Sequence, residues 1–147
     1  MQLTGEHTFE APRQVVWDFL MDPAVLEGCL PGAEEMTEVG PDEYTAKMKV
    51  GIAMIKGTFS GKVKITDKVE PTSYTMAVEG SGPQGQISGV GSLELTEQDG
   101  KTTVKYSGEA NIRGTMARVG ARMIQPAARQ IVGQFFGCLE SKAMQTK

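Results

Sequence analysis

The sequence holds a single histidine, His7, and only two cysteines, Cys29 and Cys138, in 147 residues. A metal centre of imidazoles and thiolates has no ligand set here, because neither cysteine has a partner at ligand spacing. Two cysteines so few and so far apart do not make a disulfide framework either. Both are expected as thiols in a reducing cytoplasm, with Cys29 buried beside Leu30 and Pro31. Nucleophilic catalysis by a Ser-His-Asp or Cys-His arrangement would have to use His7 itself. Positive charge is also short: Lys+Arg 15 against Asp+Glu 18 leaves a net charge of -3, which gives no reason to expect nucleic acid as a partner. No stretch approaches the roughly 20 apolar residues of a membrane span. The opening MQLTGEHTFE lacks the basic, apolar, small-residue order of a signal peptide, so the expectation is a chain that does not cross a bilayer.

What is present is ordinary for a globular protein, with 39% hydrophobic and 22% charged residues. A chain of this length buries roughly two thirds of its unfolded surface, and one domain over residues 1–147 is expected. The first ten residues alternate, with Leu3, Gly5, His7 and Phe9 on one face, as in a strand with one wet side. Pro12 suits a helix start, and Val16, Phe19 and Leu20 follow at helical spacing as far as Asp22-Pro23. A second short helix is expected through Leu26, and Cys29-Leu30-Pro31-Gly32 reads as a turn.

From there to about Ile112 the pattern is strand after strand. Tyr44, Ala46, Met48, Val50, Ile52 and Met54 share one face of the first long run; Phe59, Gly61, Val63 and Ile65 share one face of the next. Turns are expected at Gly40-Pro41-Asp42, Lys56-Gly57, Glu70-Pro71 and Asp99-Gly100, which divide the region into antiparallel hairpins. The period then changes. Met116, Val119, Met123, Ile124, Ala127, Ile131, Phe135 and Leu139 recur every three or four residues, predicting a long amphipathic helix kinked near Pro126. A curved sheet with one apolar face must cover it, and the last helix is the only apolar element long enough. Such a sheet tends to stand away from a straight rod somewhere, leaving a gap.

Gly80, Gly82 and Gly85 fall in the spacing G-x-G-x-x-G. A pyrophosphate site needs a helix opening at the third glycine, whereas QISGVGSLELTE continues as a strand, and no G-K-[ST] is present. Gly80 to Gly85 therefore reads as a hairpin turn. Gly89 and Gly91 would lie on the apolar face, where they let the sheet bend or leave space under the helix.

Few side chains offer chemistry. His7 points inward, where a structural role competes with hydrogen bonding to a bound carbonyl. Acidic residues such as Glu94 and Glu109 fall on outward positions, so no carboxylate pair emerges. Met48, Met54, Met76, Met116 and Met123 fall on inward faces, as core filling or as an adaptable pocket lining. Arg113, Arg118, Arg122 and Arg129 cluster on and before the last helix, a solvated face or a surface for an anionic partner.

The order Phe9-Glu10-Ala11-Pro12, Val16-Trp17-Asp18-Phe19-Leu20, Asp22-Pro23 and Cys29-Leu30-Pro31-Gly32 closely resembles the carbon monoxide dehydrogenase G-subunit family. Gly57 to Val63, Gly85 to Gly91 and Gln134-Phe135-Phe136 agree, so the resemblance covers essentially the whole chain. That family is part of the START-like, polyketide-cyclase-like helix-grip superfamily. The resemblance implies an α+β fold: a seven-stranded antiparallel sheet wrapped around a long C-terminal helix, with two short helices after strand 1 and a cavity for a hydrophobic molecule. Members accompany molybdenum hydroxylases of the carbon monoxide dehydrogenase type, in maturation, membrane recruitment and handling of a quinone-like acceptor. Some members reach the membrane through a C-terminal extension; with the sequence ending at Lys147, only the soluble domain's role is expected to carry over.

The expected function is a non-catalytic module that binds a quinone- or lipid-like molecule, as accessory to molybdenum hydroxylase subunits. The expected lining is His7, Trp17, Leu30, Met48, Ile52, Phe59, Met76, Val78, Gly89, Gly91, Tyr106, Met123, Ala127 and Ile131. No catalytic residue, metal or cofactor is expected. Further expectations are a cytoplasmic location with peripheral contact at the inner membrane face, and a homodimer as one oligomeric state. Two rivals stand beside this reading: a docking or maturation factor without ligand, and a cyclase or hydrolase using the same cavity.

Overall fold

The computed structural model describes residues 1–52 and 55–145, and within them not the side chains of Ile52, Ile55, Ala121, Met144 and Gln145. Strand β1 (Gln2–Phe9) is followed by helices α1 (Arg13–Leu20) and α2 (Pro23–Cys29). Six further strands follow: β2 (Ala33–Gly40), β3 (Glu43–Ile52), β4 (Ile55–Val69), β5 (Ser73–Gly82), β6 (Gly85–Gln98) and β7 (Lys101–Arg113). A 3-10 turn (Thr115–Val119) leads into helix α3 (Ala121–Gln145). The strands form one seven-stranded sheet in the order β1-β7-β6-β5-β4-β3-β2, with every neighbouring pair antiparallel. This is the α+β helix-grip arrangement expected from the sequence, with two short helices after β1.

Local chemistry explains the punctuation. Asp22 caps α2, its carboxylate accepting from the Ala24 backbone N–H at 3.0 Å, and Pro23 occupies the first turn where no amide hydrogen is needed. Asp99 and Gly100 both take positive φ, 55° and 77°, which a two-residue hairpin loop requires. Thr102, fully buried, donates its hydroxyl to the Ala11 carbonyl at 2.8 Å and so ties the start of β7 to the chain leaving β1.

Three details depart from the sequence reading. Lys56-Gly57 is not the β3–β4 turn, because both residues are paired in the ladder, Lys56 with Gly51 and Gly57 with Val50, and the pairing continues to Ile52 and Ile55. Met54, which alternation points inward, lies outside the described residues. Helix α2 continues through Cys29, one turn beyond Leu26, so only Leu30 to Gly32 remains for the turn. Helix α3 starts at Ala121: Gly120, at φ 85°, breaks the helical run, and Met116 and Val119 belong to the 3-10 turn. Pro126 sits inside α3, exposed, without ending it.

The fourth departure is chemical. Cys29 and Cys138 are joined in a disulfide, with their Cα atoms 5.4 Å apart across 109 positions of sequence. Their distance along the chain argues against a pair, but α2 packs against α3 and brings the two together. Cys29 is buried as expected, as half of a cystine and not as a thiol.

Candidate functional site

Alternation places one face of the sheet toward α3, and burial along that face is graded. At one end of the strands the inward residues Phe9, Tyr44, Ile65, Tyr74, Leu93, Leu95 and Val104 are buried, with Trp17, Leu20, Phe136 and Leu139 packed over them. Toward the other end the inward residues Met48, Phe59, Val63, Met76, Val78, Ile87, Tyr106 and Ile112 are only half-buried, although they point away from the outer surface. The same change occurs along β1, β3, β4, β5, β6 and β7. The interior is closed at one end, and at the other its apolar side chains remain partly open to solvent.

Small residues and rings shape this open half. Across its floor run the register partners Ala46, Gly61, Gly80, Ile87 and Ile112. A Cβ at Gly89 would stand 2.9 Å from the Glu109 carbonyl oxygen, and one at Gly91 3.2 Å from that of Ser107. These glycines let β6 and β7 coil tightly against each other, which is the reason for their place on the apolar face. At Gly82 a Cβ would meet the Phe59 ring at 2.8 Å, and at Gly5 it would collide with the Tyr106 phenol. Each aromatic side chain therefore fills the space where a glycine lacks its Cβ.

The polar groups of the interior gather near the centre. His7 stacks on Phe136, with ring centroids 5.6 Å apart, and lies against Phe9 at 4.7 Å. Its Nε2 stands 3.5 Å from Glu140 Oε2, within ion-pair reach when the imidazole is protonated, while no aligned hydrogen bond satisfies that nitrogen. Tyr106 completes the group, 5.5 Å from the Phe136 ring. Glu140 escapes a sequence reading in which inward carboxylates are sought along the strands; its place four residues after Phe136 on α3 is the signal that could have found it.

The structure sorts the residues expected to line a cavity. His7, Met48, Phe59, Met76, Val78, Gly89, Gly91 and Tyr106 share the inner face and are half-buried; Leu30 and Ile131 are half-buried on α2's end and on α3. Trp17 does not line the open half: it is 3% exposed, with its ring edge-on to Tyr74 at 5.5 Å in the closed core. Ala127 is likewise buried. Met123 is a correction, being 48% exposed. In the first turn of α3 it is Ile124 that is buried, at 5% exposed, while Met123 beside it faces solvent. The side chain of Ile52 lies outside the described residues.

Sequence alternation gives no sign of a second hollow. A cleft of about 590 Å³ crosses the outer face of β2 to β7, lined among others by Glu35, Lys47, Lys62, Glu79, Ser88 and Arg113. Its outward side chains are polar, with charges of both signs, which suits a hydrophobic guest poorly.

The family model of the carbon monoxide dehydrogenase G subunit (CoxG) matches residues 5–144. The chain belongs to the CoxG family. Among solved structures this CoxG domain is similar to a conserved protein from Geobacillus kaustophilus, with 28% identity and a TM-score of 0.96, covering 99% of this chain and 97% of that one. It also resembles a START superfamily protein from Mycobacterium smegmatis, with 8% identity, a TM-score of 0.77 and 99% of each chain covered, a likeness of fold alone. No curated protein matches the chain. The CoxG fold is START-like, and among its described residues no helix is long and apolar enough to cross a membrane.

Proposed function

We propose that the half-open interior is the binding site for an elongated apolar molecule, quinone- or lipid-like, and that the protein acts by holding it and not by catalysis. The carrying observation is the graded burial. Apolar side chains that face inward yet remain wetted have not been satisfied by the protein's own packing, and an apolar guest would remove them from water. Each Å² so covered contributes about 25 cal/mol before the costs of association. His7, beside Glu140, and Tyr106 are the polar groups available to orient a carbonyl or headgroup at the boundary between the closed and open halves. Met48 and Met76 give the walls freedom to adapt to its shape.

Membership of the CoxG family supports an accessory role beside a molybdenum hydroxylase of the carbon monoxide dehydrogenase type, on the cytoplasmic side and in peripheral contact with the membrane. Native mass spectrometry and lipid extraction of the purified protein are the direct test of the ligand. A co-purifying hydrophobic molecule is expected, and menaquinone or a fatty acid should raise the melting temperature. No extractable molecule and no shift with either compound would end the proposal. Retention of the large, medium or small hydroxylase subunits in a pull-down tests the partner separately.

A further inference from the structure

The inward face of the sheet carries a polar cluster whose hydrogen-bonding capacity is not used up. His7 lies on β1 between the inward residues Gly5 and Phe9, its ring held by Phe9 at 4.7 Å and by Phe136 at 5.6 Å. Its Nε2 is shut off from solvent and faces Glu140 Oε2 at 3.5 Å; among the described residues neither ring nitrogen has an aligned hydrogen-bond partner. The two side chains are 29% and 33% exposed, so the pair stands where the closed core gives way to the open half.

The elements packed around the ring limit what can titrate there. β7 sets Val104 opposite His7, and Tyr106, opposite Gly5, is the titratable group on the same face. Helix α3 brings Phe136 and, one turn on, Glu140. Lys142, two positions after Glu140, leaves the helix about 200° around from it. Glu6 on β1 and its register partner Lys105 on β7 alternate to the outer face. Among the described residues Glu140 is therefore the charge that His7 meets.

A neutral imidazole has one N–H and one bare nitrogen, and an imidazolium has two N–H groups. The nitrogen that faces a carboxylate carries a hydrogen, since a lone pair 3.5 Å from Oε2 is repelled. In the neutral ring Nδ1 is then bare and only accepts. A guest whose polar end is a carbonyl also only accepts, so Nδ1 must gain a proton before the two can bond. We infer that the interior takes up a proton as it takes up a carbonyl-bearing guest: His7 becomes an imidazolium that donates to the guest, and Glu140 is the positioning residue that supplies its counter-charge. The inference rests on the reading of the interior as an apolar binding site and adds a regulation to it. A lone imidazolium in an apolar hollow is costly, whereas beside an ionised Glu140 the pair is neutral overall. The proton passes from solvent to Nδ1, no bond within the guest changes, and release of the guest returns it. Carbonyl guests are therefore held more tightly as pH falls.

The test is calorimetric titration of the intact protein with menaquinone, whose carbonyls do not titrate, in phosphate and in Tris, two buffers with different heats of ionisation. The difference in binding heat between them counts the protons. Uptake of a large part of one proton is expected above neutrality, with affinity falling by up to about tenfold per pH unit between about pH 7 and 9. His7→Gln keeps a donor that does not titrate, and should bind without proton uptake and with a level pH profile. Glu140→Gln should weaken binding by about tenfold near neutrality and reduce the uptake, whereas a Glu140 that only packs would change affinity and leave the proton count alone. Menaquinone binding to the unaltered protein with no proton uptake overturns the inference and leaves the ligand reading standing; this measurement needs no variant to fold. Uptake that persists in His7→Gln also overturns it, by assigning the proton to another group. No menaquinone binding at any pH overturns it as well, and the ligand reading then stands or falls with fatty acid.

Discussion

Cys29 and Cys138 tie the end of α2 to the C-terminal half of α3, closing a loop of 109 residues around most of the sheet. The bond fixes the gripping helix at the closed end of the interior and leaves its N-terminal half to the 3-10 turn, which the Gln84 carbonyl holds through the Met116 N–H and the Thr115 hydroxyl.

Opening that loop should be costly. On chain-entropy grounds a cross-link of this span stabilises by roughly 4 to 5 kcal/mol. At about 2–4 °C per kcal/mol for a chain of this size, reduction or the Cys29→Ser, Cys138→Ser double substitution should lower the melting temperature by roughly 10 °C or more. Thiol titration of the denatured, unreduced protein should find no free sulfhydryl. Two titratable thiols would show that the bond does not form in solution.

Gly5 and Tyr106 are register partners on β1 and β7, and the phenol occupies the space of the missing Cβ. Gly5→Ala should destabilise by about 1–3 kcal/mol in urea unfolding, because the ring must move. In a Tyr106→Ala background the same change should cost far less, and the coupling from the double-mutant cycle measures the contact. Additive effects would show that the ring does not lie there.

The open and closed halves should respond differently to substitution. Val78→Asp, on the half-buried inner face, is expected to weaken binding of menaquinone or a fatty acid by about tenfold or more, at a modest cost in stability. Trp17→Ala, in the closed core, should cost about 3–5 kcal/mol of stability, with ligand affinity preserved in the fraction that remains folded. Calorimetric titration beside thermal unfolding separates the two. The reverse pattern would move the site to the closed end.

Alkaline pH should loosen the fold through two tyrosines. Burial raises the ionisation of Tyr74 above its ordinary value near 10, and Tyr44 is raised by burial and then by Glu38 and Asp42. With the folded values above the unfolded one, the stabilisation is fully present below about pH 10 and is lost as pH rises beyond it. Melting temperature followed from about pH 8 to 12 should fall above 10, and Tyr74→Phe should flatten part of that fall. An unchanged slope in that variant would assign the loss to other groups.

The strands are legible in the sequence because their alternation is nearly unbroken: Leu3, Gly5, His7 and Phe9, or Phe59, Gly61, Val63 and Ile65, can face only one way. Asp99-Gly100 marks its hairpin because few residue pairs accept two positive φ values. The start of α3 is less legible, since Met116 and Val119 keep helical spacing across Gly120, and periodicity does not register a backbone that turns. Of the candidate lining, the strand residues fall on the expected face, while Trp17 lies in the closed core and Met123 in solvent.

The order of elements and the apolar face of every strand belong to the sequence by itself, because each depends on residues close together in the chain. The pairing of Cys29 with Cys138, the meeting of His7 with Glu140, the outer cleft and the grading from closed core to open interior were decided only in three dimensions. Each depends on how the coiled sheet bends and how far it stands from α3 at a given point, which is set by packing between segments that no local pattern relates.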